Sequence, residues 1–134
     1  MESQYAINNN KLTSLSEQNI IDCSWNYGNN GCSGGLMGNV FEYVKVNNGI
    51  DTEEMYPYEG EVFFLIKSKD ETCRYKRNPF TLTGQGMVDS ENETALMVAV
   101  ATIGPISVGI NANSDFMQYE SGMFSEKVIF RNFH

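Results

Sequence analysis

The side chains able to make and break covalent bonds are few in this sequence: three cysteines, Cys23, Cys32 and Cys73, and one histidine, His134. A cysteine attacks as its thiolate. Acyl transfer needs in addition an imidazole that takes and returns the proton and a group that orients the ring. Cys32 stands in Gly31-Cys32-Ser33-Gly34-Gly35, a Gly-rich turn ahead of a helical pattern, a setting that lowers a thiol's pKa. Its base would have to be His134, at the extreme C-terminus. An odd cysteine count has a second meaning, a half-cystine that has lost its partner, or a free thiol.

Elements that could position these groups follow from periodicity and caps. Ser14-x-x-Glu17 is a capping-box pair and predicts a short helix from Leu15 to Cys23. Asn26 to Gly31 reads as a loop, and Gly34-Gly35 permits close backbone approach before the next helix. There Leu36, Val40 and Val44 recur at i, i+4, i+8, flanked by Met37 and Phe41, with Gly49 as the expected C′ residue. Residues 51–86 read as turns and extended chain, with Pro57 and Pro79 against long helices. A second capping box, Ser90-x-x-Glu93, predicts a helix carrying Leu96, Met97, Val100 and Ala101 on one side, stopped at Gly104-Pro105. Ile106, Val108 and Ile110 alternate with Ser107, Gly109 and Asn111, the pattern of a strand with one buried face. Asn92-Glu93-Thr94 fits an N-glycosylation acceptor on the surface.

Composition excludes some classes. With 134 residues, 41% hydrophobic and 19% charged, the chain suits one modest folded domain. A net charge of −8 argues against nucleic acid or an anionic membrane as partner, because both require clustered Lys and Arg. No apolar run approaches the ~20 residues that span a bilayer. Met1-Glu2-Ser3-Gln4 is neither a basic n-region nor an apolar h-region, so no signal peptide is expected. Nothing in the pattern calls for a cofactor or a metal.

Four segments in order carry a resemblance: Leu15-Ser16-Glu17-Gln18-Asn19-Ile20-Ile21-Asp22-Cys23, Gly31-Cys32-Ser33-Gly34-Gly35-Leu36-Met37, Tyr56-Pro57-Tyr58 and Gly104-Pro105-Ile106-Ser107-Val108. The chain resembles the middle of papain-like cysteine proteases of the cathepsin L type over roughly residues 2–124. The resemblance implies an α+β, two-lobed fold in truncated form. Residues 1–85 would be the helical left lobe, with its first helix cut short and an insertion at 62–69. Residues 86–134 would be the beginning of a β-barrel right lobe. The stretch 62–69 reads either as a tolerated loop insertion or as translated intron, and 128–134 is a second divergent stretch.

By the same resemblance Cys23 pairs with Cys73, closing a loop of about 50 residues worth roughly 4 kcal/mol in the chain-entropy model. Cys32 matches a half-cystine whose partner lies upstream, so it is expected unpaired. The family nucleophile would fall about nine residues before Met1, and the orienting asparagine and the oxyanion-hole glutamine also lie outside the chain. His134 stands at a compatible distance after Gly122-Met123-Phe124 to match the catalytic histidine, although its flanks differ. Groove residues are retained: Gly34 and Gly35 for the backbone of an extended peptide, with Leu36, Met37 and Gly109 for the pocket of the residue two before the scissile bond. Leu36 and Met37 equally fit a helix core, and Gly109 an ordinary strand glycine. Tyr56-Pro57-Tyr58 reads as a rigid structural turn.

Two functions remain open: a segment of a cathepsin L-like endopeptidase, inactive as it stands, and a non-catalytic pseudoprotease or decoy that keeps a peptide groove. The resemblance implies peptide or protein substrates in a full-length parent, propeptide or cystatin-like inhibitors as partners, and a lysosomal or extracellular location.

Overall fold

In the computed structural model the described residues are 1–59, 72–77, 80–110 and 112–122. The expected insertion at 62–69, the stretch 128–134 and His134 lie outside them. The chain forms two compact units, Met1–Gly86 and Met87–His134.

Among its described residues the first unit holds three helices, α1 (Glu2–Asn9), α2 (Glu17–Cys23) and α3 (Met37–Val46), with single 3-10 turns at Trp25–Tyr27 and Gly31–Ser33. The start of α2 corrects the sequence reading. The cap is Ser16, not Ser14: its Oγ accepts the Asn19 N–H at 2.9 Å. Ser16 is chosen because tertiary partners fix it. Fully buried, it donates its N–H to the Asp51 carbonyl at 3.0 Å and its hydroxyl to the Tyr56 carbonyl. Ser14 instead offers its carbonyl to the Glu53 N–H at 3.0 Å. Between these bonds Leu15 and Thr52 form an isolated antiparallel bridge, which brings residues 14–16 beside 51–53.

The C-terminus of α3 is a Schellman motif. Gly49 N–H reaches the Val44 carbonyl at 3.0 Å and Asn48 N–H the Lys45 carbonyl at 3.3 Å. Asn48, at φ 57°, is therefore the left-handed C′ residue. Gly49 is one place beyond its expected position, because Asn tolerates the left-handed region better than other side chains.

Leu15, Tyr43, Val44 and Ile50 make the buried hydrophobic cluster, against which Ile20, Cys23, Tyr27, Val40, Phe80 and Leu82 pack. Burying an aliphatic or aromatic side chain of this size stabilises by about 1.5–3 kcal/mol. The Cys23–Cys73 disulfide is present, with Cα atoms 4.8 Å apart and a sequence separation of 50. It secures residues 72–77 to the end of α2. A second tie runs from the Ile50 N–H to the Phe80 carbonyl at 3.1 Å.

The second unit contains α4 (Glu93–Ile103) and the single-turn α5 (Ser114–Met117). The α4 cap is Asn92, not Ser90: Asn92 Oδ1 accepts the Ala95 N–H at 2.9 Å. Glu91, at φ 61°, turns the chain sharply just before it, so Ser90 is not at the capping position. Gly104, at φ 108°, closes the helix as expected, its N–H reaching the Val100 carbonyl at 3.1 Å. The expected strand does not form. Residues 104–110 are irregular, Val108 and Ile110 are 56% and 54% exposed, and no described residue pairs with them. A strand is stabilised by a neighbour's ladder and by burial of one face. Alternation alone supplies neither.

Candidate functional site

The turn joining the Gly31–Ser33 3-10 segment to α3 carries most of the residues expected to meet a peptide. Its shape is set from below by Asn29, which is 5% exposed. Asn29 Nδ2 donates to Ser24 Oγ at 2.9 Å, and Ser24 Oγ donates in turn to the Ile20 carbonyl of α2 at 2.6 Å. On its other side Asn29 Oδ1 accepts the Leu36 N–H at 2.9 Å, at the N-cap of α3. Above it the Asn30 N–H meets the Gly34 carbonyl at 2.8 Å. One buried carboxamide thus connects α2, the turn and α3.

Both glycines are required here. Gly34 adopts φ 103°, a left-handed conformation that side chains resist. At Gly35 a Cβ would stand 2.3 Å from Asn29 Oδ1, so the side chain that shapes the turn excludes any residue but glycine. The Gly35 backbone N–H and C=O take no hydrogen bond from the described residues, and the residue is exposed. Beside it Leu36 and Met37 are 55% and 43% exposed. The core role that the α3 stripe also allowed them falls to Val40, Tyr43 and Val44. An exposed glycine with free backbone groups next to two apolar side chains suits the addition of an extended peptide strand.

Beneath the turn the polar groups are nearly all paired. Asn19, fully buried, accepts the Asp51 N–H at 3.1 Å and donates to Tyr43 Oη at 3.2 Å. Desolvation on burial pushes the Tyr43 hydroxyl up to about 12. Asp22, 5% exposed, accepts from Tyr56 Oη and from Gln18 Nε2, the latter at 2.9 Å. The Arg74 guanidinium lies 4.0 Å from the same carboxylate and 4.8 Å above the Tyr56 ring. Burial, and then the Asp22 hydrogen bond, raise the Tyr56 hydroxyl. Of the Tyr56-Pro57-Tyr58 turn, Tyr56 is 3% exposed and structural, whereas Tyr58 is 56% exposed. Among the described residues Asp51 and Glu53 are the exceptions to full pairing, Glu53 Oε2 being buried without a partner. Asp51 Oδ2 accepts the Lys76 N–H at 2.8 Å, but the buried Oδ1 has no partner. Burial raises the Asp51 carboxyl above the ordinary carboxylate range, opposed by Lys76.

Cys32 is free and exposed. No histidine stands among the described residues, since His134 lies outside them, so no described thiol and imidazole meet. Gly109 sits in the second unit, exposed, with open space where a side chain would be. Asn92 is exposed at the head of α4. Among the described residues no cluster of three His, Cys, Asp or Glu side chains is gathered to hold a metal ion. The sequence reading missed Asn29 and Ser24. In sequence, Asn29 is one of several asparagines in a glycine-rich loop, and only its burial separates it from Asn26 and Asn30.

The pattern of papain family cysteine proteases matches residues 1–133. The chain belongs to the papain family. It is 46% identical over 128 residues to procathepsin L of Rattus norvegicus, covering 94% of this chain and 36% of that protein. It is 45% identical over 129 residues to cathepsin L of Sarcophaga peregrina, with the same coverage of 94% and 36%. The structure of digestive procathepsin L 3 from the larval midgut of Tenebrio molitor superposes with a TM-score of 0.79 at 38% identity, covering 94% of this chain and 39% of that one. The fold is thus papain-like and the chain is of the cathepsin L type. It spans about a third of the length of the curated relatives it matches. Its described part is mostly helical, and no described helix is long and apolar enough to cross a membrane.

Proposed function

We propose that this chain is the substrate-positioning segment of a cathepsin L-like cysteine endopeptidase, a piece, lacking the attacking thiol and inactive by itself, of a longer proteolytic enzyme. The observation that carries the reading is the turn at Gly34-Gly35, held by buried Asn29 with the Gly35 backbone groups free and Leu36 and Met37 exposed beside it. An extended peptide pairs with Gly35 in strand fashion and lays an apolar side chain against Leu36 and Met37. The attacking thiol comes from outside these residues: Cys23 and Cys73 are consumed in a disulfide, and Cys32, free and exposed here, is read from the resemblance as the partner of an upstream cysteine in the longer protein. His134 is the imidazole of the site in the longer protein. Residues 1–85 form the helical lobe and residues 86–134 open the second lobe. Substrates are peptides and proteins, propeptide and cystatin-like inhibitors occupy the same groove, and the compartment is lysosomal or extracellular.

The test is hydrolysis of a Phe-Arg amide. The 134-residue chain is expected to turn over none, and the longer protein to turn it over in a manner blocked by a thiol reagent. In the longer protein Gly35→Ala lowers kcat/KM on the order of tenfold, the loss of one or two peptide hydrogen bonds. Thiol-sensitive turnover by the 134-residue chain would overturn the assignment. So would a longer protein indifferent to Gly35→Ala while its Trp25 fluorescence stays native. A longer protein that binds a peptide aldehyde but cleaves nothing would identify a groove-bearing decoy instead.

A further inference from the structure

Asn92-Glu93-Thr94 is the only Asn-x-Ser/Thr triplet in the chain. The structure places it where α4 begins. Asn92 is the N-cap and is exposed, as are Glu93 and Thr94 in the first turn. The Asn92 carboxamide uses only half of its hydrogen-bonding capacity. Oδ1 accepts the Ala95 N–H at 2.9 Å, and Nδ2 donates to no described residue. The left-handed Glu91, at φ 61°, turns the backbone just ahead of it, so the side chain stands at a bend of exposed chain.

We propose that Asn92 carries an N-linked glycan while still capping α4, the oxygen of one carboxamide holding the helix and the nitrogen holding the sugar. The inference rests on the secretory reading above, since the sugar donor is a lipid-diphosphate-linked oligosaccharide of that pathway. In the transfer Asn92 Nδ2 forms a bond to the anomeric carbon and the bond from that carbon to the diphosphate oxygen breaks. The lipid diphosphate leaves with the electron pair, and one Nδ2 proton passes to a base of the transferase. The product amide keeps its carbonyl oxygen as an acceptor, so the bond to Ala95 survives the modification. A glycan on an asparagine whose nitrogen were buried or hydrogen-bonded would break the local structure. At Asn92 nothing has to be displaced.

The experiment expresses the full chain behind a supplied secretory leader in eukaryotic cells, so that delivery to the lumen does not depend on the chain's own origin. A single mobility step removed by peptide N-glycosidase is expected, with residue 92 recovered as aspartate in the digested peptide. Thr94→Ala and Asn92→Asp each abolish the step, and Thr94→Ser keeps it. Far-UV helix content is the same before and after deglycosylation and in Asn92→Asp, because aspartate caps as well as asparagine. Unmodified Asn92 in lumen-delivered chain overturns the proposal. So does a glycosylated chain whose α4 amide of Ala95 loses its exchange protection, for then sugar and cap exclude each other. The longer protein with its own N-terminal sequence is run in parallel. A glycan only behind the supplied leader upholds the site and refutes the secretory reading.

Discussion

The two units differ in what burial does for them. In Met1–Gly86 a hydrophobic cluster and a polar skeleton interlock: Ile50, Asp51, Asn19, Ser16 and Ser24 are all within 1% of full burial. In Met87–His134 no described residue is buried, and α4 leaves Met97, Val98, Val100 and Ile103 between 48% and 65% exposed. Yet both units form helices with side-chain caps at their N-termini. Caps and propensity are local and operate wherever the sequence supplies them. Packing is not local, and it separates the unit that fixes the Gly35 turn from the one that carries Gly109.

The largest way to break this comparison is to cut the Cys23–Cys73 bridge. Cys73→Ser should cost the first unit about 4 kcal/mol by the chain-entropy estimate for its loop. The drop is read as a lower urea midpoint of Trp25 fluorescence, Trp25 being the only tryptophan and part of that unit. Amide exchange along α4 should not change. A matching loss in α4 would show that the units fold as one.

A smaller and sharper contrast sets Ile50→Ala against Met97→Ala. Ile50 is fully buried and Met97 is 65% exposed. The first should destabilise by about 3 kcal/mol and the second by less than about 0.5 kcal/mol. Equal effects would mean that the exposed face of α4 is covered in solution.

The smallest effect is electrostatic. Burial raises the Asp51 carboxyl, so the folded state holds this proton more firmly than the unfolded chain does. The stability it contributes is complete below the ordinary carboxylate value of about 4 and is lost as pH rises through the higher folded value. The urea midpoint of the first unit should therefore fall across that window, and Asp51→Asn should remove this part of the fall. A midpoint with the same pH slope in both proteins would dismiss Asp51 as its source.

How far the sequence could be read depends on the range of each interaction. Helices α2, α3 and α4, the Gly104 stop and the Asn26–Gly31 loop were legible because they follow from neighbours a turn away, whereas α1 was implied only by the resemblance and α5 was not anticipated. The caps were legible only to within two residues. Ser14 and Ser16 are equivalent as local acceptors, and the Tyr56 and Asp51 carbonyls decide between them. Residues 106–110 have a strand's alternation but no described ladder, so pattern without a partner misled. Leu36 and Met37 fit the α3 stripe, yet their position at its first turn leaves them in solvent.

Family and the glycines of the turn were legible in residue identity and order, because a motif is a pattern of residue types at fixed spacing, and the Cys23–Cys73 pairing followed only from the resemblance before the structure showed it. Tertiary structure alone decided that Asn29 excludes a Cβ from Gly35, that Asp51 Oδ1 is left without a partner, and that Asn92 keeps a free nitrogen while its oxygen caps α4. Each of these is a statement about which atoms are near one another after the chain has closed on itself. Spacing along the chain does not contain that information.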